Sequence, residues 1–302
     1  PPELRLITKA RVLASIGAGG VLYLTPIVFN SLSLSATQIG EGIAIAAIAG
    51  TLTRLMTGFY LDKNSKISVP LKVAASFALI ADLILLIAKQ YHLFLLGEFF
   101  LGAAAGVYWP SIELAIPLAC SNFKSSKGFA LARSADALGV SLGTMIGSLA
   151  AFFGQIRSIY LVEGLCMLLL INILNQSTLL NKKNTEEVQK INNKNVLERL
   201  SSLIKEIFIL IPNLSPLLVI SLFSTGMLSL LQSALPLDLV IGGIKRTPIL
   251  ESYTALLIAL KLVILLIIQW PIGNWLSKRK FEFGLMISCI SFSFGSFLLA
   301  LS

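Results

Sequence analysis

Charged and turn-forming residues interrupt the chain at intervals and leave nine long apolar runs, at about residues 12–31, 37–61, 70–89, 93–119, 128–153, 158–180, 214–238, 250–272 and 282–301. Each run is near the roughly 20 residues that an α-helix needs to cross a hydrocarbon core of about 30 Å. The short alternating strands of a membrane β-barrel are not found. Backbone exposed to lipid must satisfy its own hydrogen bonds, so these runs predict an all-α integral membrane protein.

One polar stretch separates six of the runs from the last three. Residues 181–195 are rich in Asn, Lys and Glu and read as a flexible linker. After it, Val196, Leu197, Leu200, Leu203, Ile204, Ile207, Phe208 and Ile211 recur at helical spacing, with Glu198, Arg199, Lys205 and Glu206 on the other faces. That pattern predicts an amphipathic helix lying on the membrane surface. The expected organisation is a six-helix bundle at 1–180, a cytoplasmic linker carrying the interfacial helix at 181–213, and a partial second bundle of three spans at 214–302.

Composition agrees with a lipid environment: 56% of the residues are apolar and only 13% charged. A net charge of +9 could point to nucleic acid, but the basic residues lie between apolar runs and form no single soluble face, so no nucleic-acid partner is expected. With the N-terminus inside, the cytoplasmic segments hold 17 Lys and Arg and the external ones 4. This bias predicts a multi-pass protein of the plasma membrane with its N-terminus in the cytoplasm. Cys120, Cys166 and Cys289 suggest neither a disulfide framework nor a zinc site, and the sole histidine, His92, has no ligand-spaced partners. No metal, cofactor or nucleophile motif is found, which argues against an intramembrane enzyme.

The most informative stretch is TRLMTGFYLDKNSK, Thr53 to Lys66, between the second and third runs. An altered copy follows at a constant offset of 215, pairing Arg54 with Gln269, Gly58 with Gly273, Asp62 with Ser277 and Lys63 with Lys278. The first copy resembles the signature loop between helices 2 and 3 of the major facilitator superfamily. QWPIGNWLSKRK resembles that family's weaker echo between helices 8 and 9. Glu98-x3-Gly102-x3-Gly106 resembles the helix 4 pattern, with Glu98 where the family has an arginine, so the role of that cation does not carry over. Gly139, Gly143 and Gly147 resemble the helix 5 antiporter signature, although Thr144 replaces its proline and Ser148 its last glycine. Their four-residue spacing predicts a helix-packing seam.

The resemblance implies a parallel-repeat transporter with substrate between two halves near the bilayer midplane, moving by alternating access. It covers helices 1 to 9 of twelve, so the sequence reads as a truncated piece of a longer chain. The implied function is secondary active transport of a small-molecule solute by a monomer in the lipid bilayer, with protons as the candidate coupling ion. A degenerate non-transporting membrane protein is the alternative. By the same resemblance, Arg54, Gly58, Asp62, Lys63 and Lys66 form a gating motif that clasps the halves on the cytoplasmic side, with Gly273 and Lys278 in the second copy. Among intramembrane acids, Asp82, Glu98, Glu113 and Asp136 are candidates for coupling, with Asp82 placed near mid-bilayer and Glu98 and Glu163 near the outer boundary. The favoured contacts are Tyr23, Asn30, Glu113, Arg133, Asp136, Gln232 and Lys261, because helices 1, 4 and 5 line the family's cavity. Asp82, on helix 3, is expected in a structural or lipid-shielded site.

Overall fold

Every described element of the computed structural model is an α-helix or a short turn between helices, as lipid requires of a backbone that cannot bond to water. The structure describes residues 1–63, 66–120, 125–176, 196–242, 247–276 and 279–301. The expected linker at 181–195 and the residues Ser277 and Lys278 lie outside them. The first six helices are α1 (Pro2–Asn30), α2 (Ala36–Lys63), α3 (Ser68–Ile87), α4 (Tyr91–Cys120), α5 (Ser125–Phe152) and α6 (Ser158–Gln176). The last three are α7 (Val196–Ile241), α8 (Glu251–Leu276) and α9 (Phe281–Leu301). Among the described residues, eight helices are long and apolar enough to cross a membrane, and α9 adds the shorter apolar stretch Glu282–Leu298.

Two elements differ from the sequence reading. Helix α1 begins at Pro2, about ten residues before the expected span, and takes Arg5, Lys9 and Arg11 into the helix. Proline suits that start because the first helical N–H groups have no partner in any case. Helix α7 runs unbroken for 46 residues, so the boundary expected at 213 falls inside it. At 1.5 Å per residue it spans about 69 Å, roughly twice the hydrocarbon core. The expected surface helix is therefore continuous with the seventh span.

Small residues decide how the first six helices meet. Helices α1 and α5 run parallel, and Gly139 sits where an added Cβ would come 2.6 Å from Ser15 Cβ and 2.7 Å from the Val12 carbonyl oxygen. One turn on, a Cβ at Gly143 would overlap the carbonyl oxygen of Ile16, and at Gly147 it would meet Leu24. From the other side, Gly19 lies against the backbone of Val140. Lipid offers little hydrophobic drive for helix association, so such backbone-to-backbone contact supplies the dispersion energy instead. Helices α2 and α4 repeat the device, with Gly102 on Ala46 and Gly106 on Gly50. Thr53 adds an interhelical hydrogen bond, its Oγ1 donating to the Ala103 carbonyl at 3.1 Å.

Two apolar clusters fill the bundle ends. At the end where the chain starts, Leu4, Ile7, Leu71, Ile112, Ile116, Leu170 and Leu174 pack together. At the far end, Leu24, Ile27, Phe29, Leu85, Phe94 and Ile159 form the second cluster, which also takes in Leu237 of α7 and Ala255, Ile258 and Leu262 of α8. Helices α7 and α8 therefore meet the six-helix bundle at its far end. The outward surface is apolar, as shown by Ile48, Leu52, Leu55 and Met56 on α2.

Gly143→Ala should destabilise the protein by about 1–3 kcal/mol, because the Ile16 backbone cannot give way to the new methyl. Gly40→Ala, where nothing lies within 4 Å, should leave stability unchanged or raise it by about 0.5–1 kcal/mol. Thermal unfolding of the two purified variants in one detergent compares them directly.

Candidate functional site

Leu4, Ile7 and Ala14 face the core of α1, and Arg11 shares their face at helical spacing, so folding carries a guanidinium inside with its apolar neighbours. Its side chain is fully buried. The guanidinium grips Asp136 of α5 with two prongs, Nε donating to Oδ1 and Nη2 to Oδ2. Nη2 also donates to Glu113 Oε1 of α4 at 3.3 Å. Ser15 Oγ donates to Asp136 Oδ1 at 2.9 Å, and the Trp109 ring centroid lies 4.7 Å from Arg11 Cζ. Arg133 completes the group, with Nη2 3.3 Å from Glu113 Oε1 and Nη1 3.9 Å from Asp136 Oδ2.

Two cations and two anions from three helices thus neutralise one another. Exposure rises across the group: Arg11 is sealed, Asp136 is 15% exposed, Glu113 30% and Arg133 55%. One edge is locked into the bundle while the other is open. The sealed edge leaves two polar atoms without a partner, Arg11 Nη1 and the Tyr108 hydroxyl. The expected contacts Glu113, Arg133 and Asp136 are brought together here. Arg11 is one of the 17 Lys and Arg residues counted in the cytoplasmic segments, and its buried place at the centre of the network corrects that count for this residue. Its spacing from Leu4 and Ile7 was the available signal.

A second group joins the two sets of helices. Gln232 Nε2 of α7 donates to the Tyr23 hydroxyl of α1 at 3.3 Å, and Lys261 Nζ of α8 lies 5.9 Å from the Tyr23 ring centroid. Tyr23 is buried. Glycine contacts place its helix firmly on α5, so the side chain has a fixed position from which to meet both later helices. Asn30 ends α1 half-buried and joins neither group.

The motif residues are more open than the resemblance implies. Arg54, Asp62 and Lys66 are exposed, and no ion pair involves them among the described residues. Gly58, expected in the gating motif, has nothing within 4 Å of an added Cβ. Lys63 and Gly273 lie in helices, but their side-chain surroundings are not described, and Lys278 lies outside the described residues.

The remaining intramembrane acids gather elsewhere. Asp82 stands five residues before the end of α3 and Glu163 five residues after the start of α6, so both lie about 8 Å from the helix ends. Asp82 is thus level with Glu163 near the far end and is displaced from the mid-bilayer position expected. Glu98 of α4 is buried beside them.

A family model described as Major Facilitator Superfamily matches residues 10–302. Comparison with curated proteins gives no match. The match begins one residue before Arg11 and runs through the charged network, the motif turn and the later helices. With its membrane-length helices and glycine-packed bundle, the chain belongs to the Major Facilitator Superfamily, a family of membrane transporters of small solutes rather than enzymes.

Proposed function

We propose that the chain moves its solute by alternating access, through a path lined by α1, α4 and α5 on one side and α7 and α8 on the other. The observation that carries this reading is the Arg11–Asp136–Glu113–Arg133 network, which runs from a sealed guanidinium to an open one across three helices. Charges placed within a membrane are costly and persist where they face protein or a polar path. Because the network is balanced, a solute that displaces one pair must satisfy both signs or neither. A zwitterion or a polyhydroxylated neutral solute meets that condition, whereas an isolated ion leaves a partner unpaired. Tyr23, Gln232 and Lys261 form the facing contact on the far side of the path.

The orientation that fits is a monomer in the plasma membrane with its N-terminus in the cytoplasm. The positive bias of the connecting segments supports it, and taking Arg11 out of that count leaves the bias intact. In this orientation α7 and α8 meet the bundle on the external side, while Asp62 and Lys66 are exposed on the cytoplasmic side. That arrangement corresponds to an inward-open carrier, in which the motif has released its clasp. Protons are the coupling ion we favour, and the gradient arm of the uptake test decides it.

The test is uptake by the reconstituted chain against a panel of amino acids, sugars and organic ions, with and without an imposed proton gradient. Uptake of one solute class, accelerated by the gradient, is expected. Saturable uptake of simple anions alone would overturn the balanced-site reading.

Three network variants should separate in stability. Asp136→Asn leaves the sealed Arg11 without its two-pronged partner and should cost about 3–5 kcal/mol. Arg133→Gln removes a half-exposed cation and should cost about 0–1 kcal/mol. Glu113→Gln should fall between them, because Arg11 keeps Asp136. Thermal unfolding in matched detergent gives the order.

Asp62→Asn removes charge with little change of volume. It should lower the transport rate per molecule while leaving abundance in the membrane unchanged, since the aspartate acts in the outward-open state. Equal rates after normalisation to protein level would remove the gating role.

A further inference from the structure

We propose that Asp82 and Glu163 form a proton-binding carboxyl pair inside the six-helix bundle, holding one shared proton between α3 and α6. The pair lies apart from the solute path proposed above and stands whether or not that path is correct.

Geometry carries the inference. Asp82 and Glu163 are each only 3% exposed and stand on α3 and α6, which pack directly against each other. Asp82 Oδ2 lies over Gly164, 3.8 Å from where a Cβ would stand. Both Asp82 oxygens and Glu163 Oε2 are buried without a hydrogen-bond donor. Ionised carboxylates only accept hydrogen bonds, so two of them facing each other satisfy nothing and repel. A single proton supplies the missing donor and turns the contact into O–H···O.

No neighbouring group performs that task in the proton's place. Glu98 on α4 adds a third buried carboxyl and no donor when ionised. On α6, the Tyr160 hydroxyl is committed to Thr25 Oγ1 at 3.2 Å, and Cys166 offers only a weak thiol donor. The guanidinium of Arg157 donates to the carbonyls of Leu86, at 3.1 Å, and Ala88 at the end of α3. Between Arg11 and Tyr23, α1 contributes no ionisable residue, and the one other ionisable residue of α3, Lys72, stands ten residues before Asp82, about 15 Å toward the opposite end of the helix. The carboxylates that Arg11 and Arg133 pair with are Glu113 and Asp136.

Helix α1 presses on this spot so closely that a Cβ at Gly17 would lie 3.0 Å from both Cα and Cγ of Glu163. Among the described residues no group of His, Cys, Asp and Glu is arranged to hold a metal. A proton needs no volume. Its loss would place two adjacent negative charges under α1 at Gly17, so its occupancy bears on how α1 packs.

Infrared spectroscopy of the full chain in lipid vesicles tests the pair, because a protonated carboxyl shows a C=O stretch that shifts in deuterium oxide and an ionised one does not. At neutral pH the wild-type chain should show this band, Asp82→Asn and Glu163→Gln should each lose it, and Glu98→Gln should keep it. Absence of the band, its loss only in Glu98→Gln, or its displacement by sodium or calcium ions would overturn the proposal. Should the single variants fail to fold, the double variant D82N/E163Q decides, since two amides can bond without a proton. The wild-type melting temperature should fall as alkali strips the shared proton, while the double variant stays level over that range. Parallel pH curves for the two would equally overturn the pair.

Discussion

The contact between α1 and α5 is the constraint on which the other arrangements depend. Gly19, Gly139 and Gly143 carry no side chain where the helices meet, so one backbone rests on the other. Only at that separation do Ser15 and Arg11 reach Asp136 on the facing helix. A bulkier seam would move α5 outward and leave a buried guanidinium without its counterion. The departures Thr144 and Ser148 do not disturb the seam. Thr144 is fully buried and its hydroxyl bonds back to the Val140 and Ser141 carbonyls of its own helix, so it makes no polar demand on a neighbour.

Lipid makes the charge pattern restrictive. A buried arginine is tolerated here because two carboxylates and an aromatic face surround it, and Arg133 balances the second carboxylate at the open edge. The Asp82–Glu163 site obeys the same rule with no cation available. In both places burial requires neutrality, reached through opposite charge in one and through a proton in the other. The two sites lie toward opposite ends of the bundle, Arg11 beside the cluster of Leu4 and Ile7 and Asp82 beside that of Leu85.

Much of the fold could be read directly from the chain, because a run of about 20 apolar residues in lipid has few alternatives to a helix. Helix ends were harder to place. Pro2 starts a helix that hydropathy begins near 12, and α7 passes through the polar-to-apolar change at 213 although Pro212 and Pro216 flank it, a pair of residues that sequence reading takes as a boundary. Within the site, Glu113, Arg133 and Asp136 were identifiable as acids and a base within apolar runs. Arg11 was not, because a basic residue near a helix start is the usual mark of topology, and its charge outweighed its core-facing spacing. Pairings such as Asp82 with Glu163 depend on which helices adjoin, and the order of helices in space is not written in local periodicity. For Gly58, sequence identifies the small residue but not whether a neighbour is engaged.

Helix α1 ties these sites together, and the geometry limits how it can move. Near its start Arg11 is bound to α5, midway Gly17 rests on Glu163 of α6, and beyond that Tyr23 meets Gln232 of α7 and Lys261 of α8. The glycine seam along α5 leaves no slack for α1 to slide independently, since its carbonyls already touch the facing backbone. A shift at one of these three points must therefore be carried by α1 and α5 together or absorbed by bending of α1. Pro26, which removes one backbone hydrogen bond near the far end, is where bending meets least resistance. Tyr23 lies one turn before that proline, so its contact with the later helices is the one most free to change while the Arg11 network stays in place.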